Sequence, residues 1–470
     1  MLDHIFNSQT KTITGAAGIL ALSTLISRAL GVVRDWLLAK NFGAGPELDI
    51  YFASFRIPDF IYNVLISGGI VVAFLPLFSE YFSKNKDEAW RFTNNILNVF
   101  LFLLSFFCLI LFIFTPPLVK LFTPGFEPWQ IDSTIFLTRI MFLSPLFLGL
   151  SSVFSGLLQY FNRFLVYSLA PILYNLGIIF GIILLAPYFG VLGVALGVII
   201  GAFFHLIIQI PAAVKTGFRY KAFFDFHDLG LKRVFYLMIP RVFSIASQQI
   251  NFIIVTAIAS TLSSGSISIF NFANNIQNLP IGIIGISFAM AVFPQLSQTL
   301  INGKKKEFLE NFSSTFRQVL YLIVPLTILM FIFRNQITEI VLRHGQFSKE
   351  AWQLTSASLG LYCLGMVTLA LVPIILRAFF SLQDTKTPTL IAIGLMVFNI
   401  ILSFYFSWFL LRNQTPLQIF LKNVFSLQNI KDISVLGLAL AFSITNIFQF
   451  LLLMFFLDKK LKNFGISFKK

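Results

Sequence analysis

Charged residues are scarce in this sequence, because only 11% of its 470 residues are Asp, Glu, Lys or Arg, against about 25% in soluble globular proteins. It contains only two cysteines and four histidines, and none of them shows the spacing of a metal site. We also find no phosphate-binding glycine loop followed by lysine, and no pairing of a nucleophile with a base. These absences exclude a soluble enzyme, a disordered chain and a disulfide scaffold.

Apolar residues dominate the sequence instead. Hydrophobic residues make up 57% of it and Phe alone occurs 59 times. An apolar run of about 20 residues is long enough for a membrane-spanning helix. We therefore predict an all-α polytopic membrane protein with about twelve spans. They are expected near 13–39, 50–80, 92–119, 130–160, 164–187, 190–214, 235–261, 267–298, 313–335, 352–382, 387–411 and 433–457.

The excess of basic residues gives the orientation. A net charge of +15 would suggest a nucleic-acid partner in a soluble protein, but a membrane protein concentrates Lys and Arg in its cytoplasmic loops. If the N-terminus is cytoplasmic, most of the 34 basic residues fall on the inner side, and an even number of spans returns the C-terminus there. We predict a multi-pass protein with both termini in the cytoplasm and no nucleic-acid partner.

A weak internal repeat divides the chain. Ala73-Phe-Leu-Pro-Leu-Phe-Ser79 ends the second expected span, and Ala291-Val-Phe-Pro-Gln-Leu-Ser297 ends the eighth. Asn175 and Asn399 lie in matching apolar settings of the fifth and eleventh spans. Two parallel halves built from a repeat are typical of transporters. The predicted organisation is a six-helix lobe at 1–214, a cytoplasmic linker at 215–234 and a second six-helix lobe at 235–470.

Ionisable residues inside the first two spans are the main candidates for a site. A charge near the bilayer centre costs about 2.5–3.5 kcal/mol, so it is retained with a partner or a function. Arg28 and Arg34 lie six residues apart in the first span, which is about 9 Å along a helix and about 120° around it. Guanidinium groups bind phosphate bidentately, which predicts an anionic, phosphate-bearing substrate. The alternative is internal pairing of Arg34 with Asp49 and of Arg56 with Asp59.

The second half offers fewer charges and more amides. Arg241 follows Pro240 early in the seventh span, and no carboxylate lies deep in spans three to twelve. The eighth span carries five amides just before Pro280, and amides in a membrane helix avoid lipid. They are expected either to line a hydrophilic cavity or to hold helices together. These amides are Asn271, Asn274, Asn275, Gln277 and Asn278.

The motifs of the chain resemble those of a known family. They are Ser27-Arg-Ala-Leu-Gly-Val-Val-Arg-Asp35, Phe42-Gly-Ala-Gly45, Ala73-Phe-Leu-Pro76, Thr123-Pro-Gly-Phe126, Asn162-Arg-Phe164, Phe226-His-Asp228, Gly345-Gln-Phe347 and Gln383-Asp-Thr-Lys-Thr-Pro388. In this order they are similar to the MurJ (MviN) lipid II flippase family, part of the multidrug/oligosaccharidyl-lipid/polysaccharide exporter superfamily. Each motif alone is weak, but together they cover nearly the whole chain.

The resemblance implies a function and a set of site residues. It implies a V-shaped pair of lobes around a central cationic cavity, and transport of lipid II from the inner to the outer leaflet of the bacterial cytoplasmic membrane, for peptidoglycan and cell-wall synthesis. The implied substrate-binding residues are Arg28, Arg34, Asp49 and Arg56. Arg241, Asn274 and Asn275 are added to them as a hypothesis. Neither a metal nor a cofactor is implied, and membrane lipids and cell-wall synthesis proteins are the expected partners.

The sequence departs from the family at three places. Tyr62 aligns with an arginine that members carry in the second helix, and Asn274 and Asn275 align with an Asp-Arg pair of the eighth. Members usually have fourteen helices, whereas twelve are expected here, without helices 13 and 14. Alternatives are an exporter of another lipid-linked glycan, a cation-coupled drug antiporter and a non-transporting cell-wall scaffold. Membrane potential or an unidentified ion would supply the energy.

Overall fold

A computed structural model describes residues 13–412 and 414–463, except for the side chains of residues 13, 14, 16, 17, 67–73, 240, 241, 244 and 463. Its described residues form helices and connecting turns without strands. The α-helices are α1 (Ile13–Phe42), α2 (Pro46–Ser54), α3 (Arg56–Ile61), α4 (Val71–Lys84), α5 (Lys86–Phe122), α6 (Pro128–Met141), α7 (Leu143–Tyr160), α8 (Phe164–Phe180), α9 (Ala186–Phe189), α10 (Val191–Ile207), α11 (Gln209–Val214), α12 (Leu229–Ser260), α13 (Ser266–Pro280), α14 (Ser287–Ile301), α15 (Lys305–Ile332), α16 (Arg334–Leu342), α17 (Lys349–Ser381), α18 (Lys386–Leu411), α19 (Pro416–Phe425) and α20 (Leu436–Asn463). Three π-helical segments, Tyr62–Ile70, Gly181–Leu185 and Ile281–Ile286, join neighbouring helices.

Nine helical stretches of the described chain are long and apolar enough to cross a membrane. They coincide with nine of the twelve expected spans. The other three expected spans, 13–39, 50–80 and 235–261, are also largely helical, and they contain the arginines of the predicted site. The prediction of an all-α, multi-span membrane protein is therefore confirmed.

The second expected span is interrupted rather than continuous. It consists of α2, α3, the π-helical segment Tyr62–Ile70 and α4. Pro58 lacks a backbone N–H, and Gly68 and Gly69 weaken an α-helix, so the sequence itself disfavours one regular helix here. A π-helical segment also follows Pro280 and precedes α14. Thus the two repeated motifs lie in equivalent local structures, each in a proline-containing helix after a π-helical segment.

The described chain divides into two compact units. One consists of the residues up to Leu38 together with Pro46–Ile253, and the other of Ala39–Gly45 together with the residues from Ile254 onward. In the first unit, α8 and α10 pack through glycines. A Cβ atom added to Gly197 would lie 2.9 Å from the carbonyl oxygen of Gly177, so the two backbones are in direct contact.

The predicted linker is fixed to α5 by three buried asparagines. Asn95 donates to the carbonyl of Asp225 and accepts from its N–H, both at 2.8 Å. Asn94 donates to the carbonyl of Arg219 at 3.1 Å and accepts from the N–H of Lys221 at 2.9 Å. Asn98 donates to two further carbonyls of the linker, at 3.0 and 3.1 Å. The linker therefore follows a defined path along α5.

The linker is shorter than its predicted range 215–234, because α12 already begins at Leu229. Asp228 explains this start. Its carboxylate accepts from the N–H of Leu231 at 2.8 Å, which is the contact of a helix N-cap.

The second unit contains an Asp384–Lys460 ion pair between the turn before α18 and the end of α20. The Asp384 carboxylate also accepts from the N–H and hydroxyl of Thr387, at 3.0 and 2.8 Å. Asp384 is buried, which opposes its ionisation, but these bonds keep its pKa below the usual range. The ion pair thus connects the start of α18 to the end of α20.

Candidate functional site

Arg34 on α1 forms a partly buried ion pair with its neighbour Asp35. Its Nε and Nη2 atoms lie 3.0 and 2.9 Å from the same carboxylate oxygen. Its Nη1 atom donates to the side-chain oxygen of Asn175 at 3.4 Å. A guanidinium has five N–H groups, so within the described residues two remain for another acceptor. Arg34 is therefore held in one orientation and retains capacity to bind an anion.

Asn175 connects α8 to α1 at this point. Its amide nitrogen lies 3.3 and 3.2 Å from the carbonyl and hydroxyl oxygens of Ser27, and 3.2 Å from the carbonyl of Pro171. The sequence marked Asn175 only as part of the internal repeat. The sequence did not predict that Asn175 contacts Arg34. The only signal in the sequence was an amide within an apolar span.

Arg56 begins α3 in the same unit and is partly buried. Its guanidinium lies 5.7 Å from the centre of the Phe252 ring. Asp59 follows one helical turn later and interacts electrostatically with both Arg56 and Arg34. Two arginines from two different helices therefore act electrostatically on one carboxylate.

The other acids differ in their surroundings. Asp49 is 4% exposed and lies in the first turn of α2, where the helix dipole favours a negative charge. Arg28 lies on α1 two turns before Arg34 and is partly buried. Asp35, not Asp49, forms the described ion pair of Arg34. The predicted pairing of Arg34 with Asp49 is thus not the ion pair that the described residues show.

A cavity of about 280 Å³ lies next to Asp59 in the first unit. Its polar lining comes from four segments of the chain, and prolines and other apolar side chains form the rest of the wall. The polar lining residues are Asp59, Tyr62, Asn63, Ser144, Tyr174 and His205. Tyr62, one of the three predicted departures from the family, lines this cavity.

His205 is part of a hydrogen-bonded network at the edge of this cavity. Its Nδ1 atom lies 2.7 Å from the hydroxyl of Ser151. Gln209 donates to that hydroxyl at 2.7 Å and accepts from Ser155 at 2.9 Å. His205 is therefore a hydrogen-bonded residue whose side chain also reaches the cavity.

The predicted residues of the second half lie apart from this cluster in the chain. Asn274 is buried and Asn275 partly buried on α13, and both belong to the second unit. Gln277 on the same helix is fully buried, and its amide atoms have no partner among the described residues. Arg241 lies on α12, but its side chain is outside the described part of the structure.

The described residues contain no group of three or more His, Cys, Asp or Glu that could hold a metal ion. Cys108 and Cys363 are free and buried, as expected from their apolar surroundings. Charged residues collected within membrane-spanning helices, one of them lining a cavity, are typical of a transporter rather than an enzyme.

Comparison with known proteins identifies the transporter family. The family model "Lipid II flippase MurJ" matches residues 38–469. The chain therefore belongs to the MurJ family, which confirms the resemblance inferred from the motifs.

Similar proteins include the probable lipid II flippase MurJ of Buchnera aphidicola subsp. Acyrthosiphon pisum, 30% identical over 82% of this chain and 77% of that protein. The probable lipid II flippase MurJ of Vibrio cholerae is 28% identical over 83% and 77%.

Among solved structures, "Lipid II flippase MurJ, inward closed conformation" superposes with a TM-score of 0.76 and 26% identity, over 93% of this chain and 86% of that chain. An inward-facing multidrug transporter of the MATE family superposes with a TM-score of 0.73 over 95% and 99%, but at 14% identity it supports the fold alone. The transporter fold predicted from the sequence is confirmed by both.

Proposed function

We propose that this protein moves lipid II, the undecaprenyl-diphosphate-linked peptidoglycan precursor, from the inner to the outer leaflet of the cytoplasmic membrane. Membership of the MurJ family supports the activity. The observation that carries the site is the electrostatic interaction of Arg34 and Arg56 with Asp59, which lines the cavity of the first unit. The proposed binding residues remain Arg28, Arg34, Asp49, Arg56, Arg241, Asn274 and Asn275.

The diphosphate is the part of lipid II that the arginines recognise. Arg34 has two N–H groups left after its bonds to Asp35 and Asn175, which suits bidentate contact with phosphate oxygens. Arg56 adds a second cation that approaches from another helix. Asp35 orients Arg34 and Asp49 stabilises the start of α2, while the prenyl tail stays in the lipid.

The cycle exposes the headgroup first to one leaflet and then to the other. An inside-negative potential favours outward movement of an anion by about 2.3 kcal/mol per charge per 100 mV. Membrane potential is therefore a sufficient bias without ATP. The distribution of Lys and Arg supports a cytoplasmic position for both termini.

Complementation of a bacterium depleted of its own lipid II flippase tests this function. Outward exposure of lipid II is measured with the natural chain, Arg34→Ala, Arg34→Lys and the control Arg317→Ala, whose side chain is exposed on α15. We expect exposure with the natural chain and the control, none with Arg34→Ala, and partial exposure with Arg34→Lys, because Lys keeps the charge and loses the bidentate geometry.

Equal exposure with Arg34→Ala would refute the site. A natural chain that is inserted in the membrane but restores no exposure would refute lipid II as the substrate. Restored export of another lipid-linked glycan would then favour the related exporter.

A further inference from the structure

Asp59 is a carboxylate close to Arg34 and Arg56 in the chain or in space, and it takes part in none of the described ion pairs. The Asp35 carboxylate accepts two bonds from Arg34. The Asp59 carboxylate has no hydrogen-bond donor among the described residues, although its backbone carbonyl accepts from Asn63 at 2.9 Å. A carboxylate without a direct partner can gain or lose a proton without breaking an ion pair.

Two arginines, Arg34 and Arg56, act electrostatically on the Asp59 carboxylate. The negative charge of Asp59 therefore offsets part of the positive charge that would attract a substrate phosphate. An incoming diphosphate must therefore compete with Asp59 for the same cations.

The cavity gives Asp59 access to protons. Its volume of about 280 Å³ exceeds the roughly 30 Å³ that one water occupies, so several waters fit beside the carboxylate. The titratable groups that face Asp59 are Arg34 and Asp35 from α1, Tyr51 from α2, Arg56 and Tyr62 from its own segment, Tyr174 from α8 and His205 from α10. A metal cation in this place would be repelled by the two guanidinium groups, whereas a proton only neutralises Asp59.

We propose that Asp59 is a proton-binding group coupled to the diphosphate site. It competes with the diphosphate for Arg34 and Arg56, and it takes up one proton from the cavity when the diphosphate binds. This inference rests on the proposed function. Linkage is reciprocal, so protonation of Asp59 strengthens diphosphate binding by the same factor by which diphosphate strengthens proton binding.

The test is equilibrium binding of undecaprenyl diphosphate to the full-length protein in nanodiscs, between about pH 5 and about pH 8, the range in which a histidine would also titrate. The variants are Asp59→Asn, His205→Gln and the control Glu310→Gln, an exposed acid on α15. The ligand itself gains protons in this range, so variants are compared with the natural chain at each pH. Size-exclusion profiles and melting curves verify that each variant is folded.

We expect Asp59→Asn to bind more tightly than the natural chain at high pH, by about tenfold, which is within the range of typical coupling between two sites. The difference should disappear at low pH, where the natural chain carries a protonated Asp59. His205→Gln and Glu310→Gln should keep the pH dependence of the natural chain.

Two outcomes would overturn the proposal: Asp59→Asn binds with unchanged pH dependence, or the dependence disappears in His205→Gln instead. Arg34→Ala separates this inference from the proposed function. If Arg34→Ala binds undecaprenyl diphosphate as the natural chain does, the proposed binding site fails. If it loses binding while Asp59→Asn changes nothing, only the proton coupling fails.

Discussion

Replacing Asn95 by Ala should release the linker from α5 without unfolding the helices. Asn95 is fully buried, and both of its side-chain bonds are made to the backbone of Asp225. A hydrogen bond contributes about 0.5–1.5 kcal/mol net, so the loss of two bonds costs about 1–3 kcal/mol. Because about 1.4 kcal/mol corresponds to a factor of ten, local opening should become about 5–150-fold more frequent.

Hydrogen exchange of the linker amides measures this opening directly. The N–H of Asp225 is bonded to Asn95 and that of Lys221 to Asn94, so their exchange rates report the attachment of the linker. We expect faster exchange over residues 219–225 in Asn95→Ala, and unchanged exchange in α17. The control is Asn302→Ala, at an exposed turn before α15. Unchanged exchange of the linker amides in Asn95→Ala would show that these asparagines do not hold it.

Three further predictions concern packing, pH and topology. Gly197→Leu should prevent close packing of α8 and α10 and lower the melting temperature and yield. The control Gly394→Leu should not, because a Cβ atom at Gly394 has no neighbour within 4 Å. Equal melting temperatures of the two variants would contradict this prediction. Asp384→Asn should lower the melting temperature at neutral pH. The folded-state pKa of Asp384 lies below its ordinary value of 3.8. The stabilisation by ionised Asp384 is therefore complete above pH 3.8 and is lost as the pH falls through the folded-state pKa. The melting temperatures of the natural chain and the variant should converge in acid, and a constant difference would contradict this prediction. In intact cells, a membrane-impermeant maleimide should label Lys349→Cys but not Lys305→Cys, both at exposed positions, since the native cysteines are buried; the reverse pattern would refute the proposed orientation.

The membrane-spanning helices could be predicted from composition alone, because hydropathy is a local property of about 20 residues. Arg34 and Arg56 were identified for the same reason, since a charge within an apolar run is visible without a structure. The interruption of the second span at Tyr62–Ile70 was not predicted, although Pro58, Gly68 and Gly69 are present in the sequence.

The surroundings of the arginines could not be predicted, because they depend on contacts between residues distant in the chain. Asn175 contacts Arg34 across 141 residues of sequence. The cavity combines Asp59 with Tyr174 and His205, which come from separate helices. The residue pattern within one helix does not indicate which residues of other helices line the same cavity. Similarly, Asn95 is a polar residue near the start of α5. Nothing in its local sequence indicates that it binds the linker 130 residues later.

The asparagines of α5 bind the linker through its main chain. Almost all of their contacts are made to carbonyl and N–H groups, which every residue except proline provides. The path of the linker is therefore largely independent of the identity of its side chains. We therefore expect side chains at positions such as Arg219 and Lys221 to tolerate substitution, whereas the three asparagines that bind the backbone should not.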